Sequence, residues 1–114
     1  MLKKKYRMRK KAEFQTVFAK GKSYSSKHVV IYIFQGLPVK FGIVVSKRIG
    51  NAVQRNRAKR LLREVIRLNQ DGLIVDCQMI LLARRFIIGA TFREVEKSVL
   101  YIWRKAGIYG GKNS

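Results

Sequence analysis

Apolar residues recur along this chain with two different periods, and the switches between them mark its elements. Residues 12–20 carry Phe14, Val17 and Phe18 at i, i+3 and i+4, the spacing of one helical face. Gly21 follows where a left-handed helix cap is expected. Residues 28–34 form a β-branched and aromatic run that reads as a strand. Val29, Ile31 and Ile33 share one side of it, and Val30, Tyr32 and Phe34 the other. Residues 35–38 supply turn chemistry and include the only proline, Pro38. Residues 39–47 alternate again, with Val39, Phe41, Ile43 and Val45 directed inward. The two strands are expected to pair as an antiparallel hairpin.

At Gly50-Asn51 the period changes from two to helical, and it stays helical to about Leu68. Ala58, Leu61, Leu62, Val65 and Leu68 gather on one face at about 100° per residue. Arg55, Asn56, Lys59, Arg60, Arg63 and Arg67 gather on the opposite arc. Asn69-Gln70-Asp71-Gly72 breaks the pattern, and residues 73–75 read as a loop or a short strand. Residues 76–83, with Met79, Ile80, Leu81 and Leu82, read as a buried strand ending at the basic pair Arg84-Arg85. Strand, helix and strand across residues 39–83 predict a crossover that leaves the flanking strands parallel. Thr91 and Glu94 form a capping box, with Ala90 and Val95 placed as a hydrophobic staple. The helix they start runs to about Ala106, burying Val95, Val99, Ile102, Trp103 and Ala106, and Gly107 ends it. The expectation is a single α+β domain over residues 1–114, with a basic arm at 1–11 and a loose tail at 107–114.

Charge changes the picture more than composition does. The apolar fraction of 47% is that of a globular protein, so the basic residues are not those of a disordered tail. The net charge of +20 exceeds what solubility requires and points to an anionic partner. Much of that charge lies on the central helix, where like charges one turn apart cost a few tenths of a kcal/mol per pair. A polyanion along the face removes that cost. Cys77 is the only cysteine, so no internal disulfide forms and a reducing cytoplasm is expected. No stretch approaches the roughly 20 apolar residues that span a bilayer. No signal peptide is expected, because no apolar core follows the basic N-terminus.

Self-contained catalysis is not expected. The acids Glu13, Glu64, Asp71, Asp76, Glu94 and Glu96 are scattered over the chain rather than clustered for metal ions. His28 stands alone and reads as a surface or strand-edge residue, and Cys77 as inert core. The Phe14, Val17, Phe18 stripe, taken by itself, reads first as core packing.

The stretch Lys47-Arg48-Ile49-Gly50-Asn51-Ala52-Val53-Gln54-Arg55-Asn56-Arg57-Ala58-Lys59-Arg60-Leu61-Leu62-Arg63-Glu64 resembles the signature of the bacterial ribonuclease P protein subunit. In that family an Arg-Asn-Arg helix follows a Ser-Lys-basic-x-Gly-x-Ala-Val turn. Glu13 to Phe18 and the Gly21 stop are similar to its first helix, Tyr32 falls in the matching strand, and the Thr91 helix is similar to its last. The turn at residues 35–39 is shorter, and the tail less basic, than in many relatives.

The resemblance implies a two-layer α+β sandwich in the order α-β-β-α-β-α. It also implies a mixed sheet with a left-handed crossover, against a rule kept in about 98% of cases. It implies an endoribonuclease subunit for removing the 5′ leader of precursor tRNA, with the chemistry left to a catalytic RNA and its Mg2+. Lys47, Arg48, Arg55, Asn56, Arg57, Lys59, Arg60, Arg63 and Arg67 would then face that RNA. Phe14, Phe18, Val30 and Tyr32 would line a cleft for the single-stranded leader, so at least one of the two phenylalanines should be partly exposed. The protein would be cytoplasmic, off the membrane, and monomeric apart from RNA. The alternative is a ribosomal or chaperone-type structural RNA-binding protein with the same helix and no cleft. A DNA reader would instead need side chains for base edges, which an arc of Arg and Lys does not supply.

Overall fold

The fold is seen in a computed structural model, which describes residues 2–110. Helix α1 spans Lys11–Lys20, followed by strands β1 (Lys22–Ser25), β2 (Val29–Gln35) and β3 (Lys40–Val44). Helix α2 (Ala52–Asn69) then leads to β4 (Cys77–Ala83), and α3 (Phe92–Lys105) closes the order. The strands form one mixed sheet in the order β1-β2-β4-β3. Strand β4 runs antiparallel to β2, from Val29 opposite Ala83 to Gln35 opposite Cys77, and parallel to β3, from Lys40 opposite Gln78 to Val44 opposite Leu82.

This topology corrects two expectations. The β2–β3 hairpin does not form, because β4 inserts between the two strands. Residues Cys77 to Leu81 are buried on both sides of the sheet, so β4 needs a neighbour on each edge as well as cover on each face. Strand β1, Lys22-Ser23-Tyr24-Ser25, was not expected at all, and the strand order gains a member. It is short, polar and headed by lysine, which suits an exposed sheet edge but leaves no apolar alternation to read. The expected parallel crossover through α2 is present.

The main core lies on one face of the sheet. Val29, Ile31, Phe41, Met79 and Leu81 meet Ala58, Leu62, Val65 and Ile66 of α2 and Val95, Val99, Ile102 and Trp103 of α3, all buried. Full burial of one such aliphatic side chain contributes about 1.5–3 kcal/mol. Ile66 is fully buried where Leu68 was expected, and Leu68 is 53% exposed. Ile66 lies roughly 40° around the helix from Leu62, whereas Leu68 lies roughly 120° away. The sheet and these two helices are the two expected layers, and α1 adds a partial third on the opposite face. There Val17, Met8 and Ile80 form a second, smaller core.

Chain ends and breaks follow local chemistry. Asn51 caps α2 reciprocally with Gln54, each backbone N–H donating to the other side chain at 2.9 Å. Thr91 and Glu94 cap α3 in the same way, with Ala90 and Val95 both buried as a staple, and Gly107 takes the left-handed φ of 74°. Gly21 is not left-handed: its φ is −74°, and a Cβ there would meet the Val17 carbonyl oxygen at 2.5 Å. Close approach, not backbone sign, accounts for this glycine.

Neither terminus hangs free within residues 2–110. Leu2 and Met8 are buried, and Met8 N–H donates to the Phe41 carbonyl on the outer edge of β3 at 2.8 Å. Ile108 is buried, Tyr109 bridges Leu73, and Gly110 N–H donates to the Gly72 carbonyl at 2.8 Å. The loose tail therefore does not begin at residue 107. Residues 111–114 lie outside the described part.

Candidate nucleic-acid interface

The solvent side of α2 divides into cations that brace the fold and cations that do not. Arg55 is half-buried, and its Nη1 donates to the Gly50 carbonyl at 2.6 Å, closing the turn that precedes the helix. Arg57 reaches across to α3, where its Nη2 donates to the Ala90 carbonyl at 2.9 Å. Arg67 is paired with Glu64, its Nε donating to the carboxylate at 3.1 Å. That hydrogen bond holds the Glu64 carboxyl below its usual range and raises the Arg67 guanidinium. Lys59, Arg60 and Arg63 form no ion pair among the described residues. Asn56 is exposed beside them, and Lys47 and Arg48 are exposed on a single 3₁₀ turn capped by the Ser46 hydroxyl. The part of the basic arc outside these contacts thus narrows to Lys47, Arg48, Asn56, Lys59, Arg60 and Arg63, with Arg55 and Arg57 shaping its N-terminal end.

On the far face of the sheet the strand register sets out rows of side chains. Ser25, Val30, Leu82 and Val44 form one row; Ser23, Tyr32, Ile80 and Gly42 the next; Phe34, Gln78 and Lys40 the third. Helix α1 lies across part of this surface and buries Val17 and Ile80 completely. The ring of Phe14 sits over Gly42, where a Cβ would come within 2.6 Å of it. Phe18 meets Tyr32 edge-on, the ring centroids 5.0 Å apart, and remains 40% exposed. Val30, Val44 and Leu82 are only half-buried, so one side of α1 opens onto an apolar and aromatic floor.

Phe14, Phe18, Val30 and Tyr32 thus come together on one surface. Phe34, Val44 and Leu82 join them and were not singled out. Alternation along β2 already placed Phe34 on this side, but only the β4 and β3 register brings in the other two. Arg63 and Phe14 line one small hollow of about 100 Å³, so the arc of α2 and the cleft meet at the β3 edge.

Electrostatics at the start of α1 fix its position. The Glu13 carboxylate accepts from the backbone N–H groups of Arg9 and Lys10 at 3.2 and 3.0 Å and pairs with Lys40 on β3. The Lys40 hydrogen bond, with those backbone donors, lowers its pKa to about 2.

His28 departs from the sequence reading. It is buried rather than at the surface, with Nδ1 2.5 Å from the Ser98 hydroxyl on α3. Burial, reinforced by the neighbouring Lys27, lowers its pKa. Cys77 is buried, and that burial pushes its thiol up to about 11, where it is unreactive. No helix among the described residues is long and apolar enough to cross a membrane.

A basic helix arc beside an open aromatic sheet face defines a class of small, strongly basic α+β domains. Comparison with known proteins narrows it. The sequence profile of the family Ribonuclease P matches residues 2–107. The "Ribonuclease P protein component" of Bacillus cereus (strain 03BB102) is 38% identical over 110 residues, covering 94% of this chain and 96% of that one. The solved Staphylococcus aureus RNase P protein superposes with a TM-score of 0.82 at 30% identity, over 91% of this chain and 97% of its own. The Thermotoga maritima RNase P protein does so with 0.78 at 26%, over 87% and 96%. The chain belongs to the ribonuclease P protein family.

Proposed function

We propose that this chain is the protein subunit of a ribonuclease P ribonucleoprotein and that it acts in 5′ maturation of precursor tRNA. The arc from Lys47 on the preceding turn to Arg63 on α2 binds the catalytic RNA through its phosphates. The cleft of Phe14, Phe18, Val30 and Tyr32 holds the single-stranded 5′ leader. The observation that carries the leader assignment is the partial exposure of Phe18 and Tyr32 on the open sheet face. Folding alone favours burying such rings, whereas bases stacking on them gain about 1–3 kcal/mol each with little sequence preference. An enzyme that trims many different leaders needs that tolerance.

Magnesium use in this reading belongs to the RNA. Three of the protein's six acidic side chains are already engaged. Glu13 is committed to Lys40, Glu64 to Arg67 and Glu94 to the Thr91 cap, and no three His, Cys, Asp or Glu side chains converge among the described residues. The protein's part is to bind and align, so that a substrate anchored at its leader presents its cleavage site to the RNA.

The test is cleavage of precursor tRNA by a bacterial ribonuclease P RNA at low magnesium, with and without the protein. Stimulation that grows with leader length is expected. Tight RNA binding without stimulation would instead favour a structural RNA-binding role.

A further inference from the structure

A groove of about 640 Å³ lies between the solvent side of α2 and the start of α3, separate from the leader cleft. Leu61 and Phe92, both half-buried, give it an apolar lining, and Arg57, Arg60, Arg63 and Glu64 supply the charge. Its size is that of a small-ligand site. Arg57 donates one Nη2 hydrogen bond there to the Ala90 carbonyl, which leaves its other donors for a ligand.

We propose that this groove takes a single unpaired base of the RNA subunit, stacked on Phe92, with its flanking phosphate on Arg57 and Arg60. The assignment rests on the reading that α2 faces RNA. Three features favour a base over a bare phosphate or a second protein. Phosphate alone needs no aromatic wall. The Glu64 carboxylate is paired with Arg67, but it keeps free lone pairs that accept from the exocyclic amino group of cytosine, adenine or guanine and not from phosphate. A second copy of this chain would bring three more arginines against these three, on a protein of net charge +20.

The experiment uses the full chain with a bacterial ribonuclease P RNA, measuring affinity against salt and base reactivity at each nucleotide. With wild-type protein, one unpaired amino-bearing base should become protected. Phe92→Ala should restore its reactivity and weaken binding roughly tenfold, within the range for one base–aromatic stack, at an unchanged salt slope. Phe92→Leu keeps the apolar volume, so its unchanged unfolding temperature with the same loss of protection separates stacking from folding. Wild-type affinity and protection in Phe92→Leu would overturn the proposal. So would a lowered salt slope without loss of any single base's protection, which means phosphate contacts only. Concentration-dependent dimerisation of the protein through this groove would overturn it too. Arg60→Ala reports on the parent reading separately: if it leaves the salt slope intact, the α2 interface itself is wrong, whatever Phe92 does.

Discussion

Phe18→Ala separates ligand binding from folding in the cleft. Phe18 is 40% exposed while Val17 beside it is fully buried, so truncation opens no enclosed cavity. Folding loses the edge-to-face contact with Tyr32 and the covered part of one ring, together about 1–2 kcal/mol. For a chain of this length that lowers Tm by about 4–8 °C. Binding loses one stacked base, about 1–3 kcal/mol, or roughly 5- to 160-fold in Kd. Thermal unfolding of the protein alone reads the first quantity. Affinity of the reconstituted holoenzyme for precursor tRNA with a long leader, against mature tRNA, reads the second. Phe18→Leu should recover most of the Tm and little of the affinity. Phe14→Ala should cost more stability, because its ring packs against Gly42 and Met8. Equal losses on leader-bearing and leaderless tRNA would refute the cleft reading, as would full affinity in a folded Phe18→Ala protein.

Further outcomes follow from the same geometry. Arg60→Ala and Arg63→Ala should each lower the salt slope of RNA binding by about 0.7–0.9 with little change in Tm. Arg57→Ala should lower Tm as well, because it releases the Ala90 carbonyl at the start of α3; equal Tm in Arg57→Ala and Arg60→Ala would count against that brace. Glu13 has a depressed folded pKa, so its contribution is complete above about pH 4.5 and is lost as pH falls toward about 2. Urea titrations across that window should show a larger drop for wild type than for Glu13→Gln, the remainder coming from Glu64 and Glu94. His28 is also depressed when folded, by burial and Lys27, so stability should already decline as pH falls below its ordinary value of 6.5. A flat urea midpoint from pH 7.5 to 5 would contradict that burial.

What the sequence determined by itself was whatever depends on neighbours in the chain. The Thr91–Glu94 cap, the staple at Ala90 and Val95, the Gly107 stop and the arc of α2 are local, and period and residue type suffice to place them. The family signature is equally local, running from Lys47 through Glu64. Tertiary structure decided what depends on partners distant in sequence. Strand β4 takes the centre of the sheet because it is apolar on both faces, and that displaces the expected hairpin and exposes a use for the polar edge strand β1. Ile66 replaces Leu68 in the core because docking against the sheet and α3 sets the rotation of α2, which periodicity leaves free to within one residue. The same holds for function. The cations of α2 look alike in sequence, and only folding shows Arg55 and Arg57 bound to backbone carbonyls, Arg67 paired with Glu64, and Arg60 and Arg63 in no ion pair among the described residues. The cleft was expected from a resemblance; the register of four strands puts Phe34, Val44 and Leu82 into it, because side chains on separate strands meet only once hydrogen bonding has fixed which rows align.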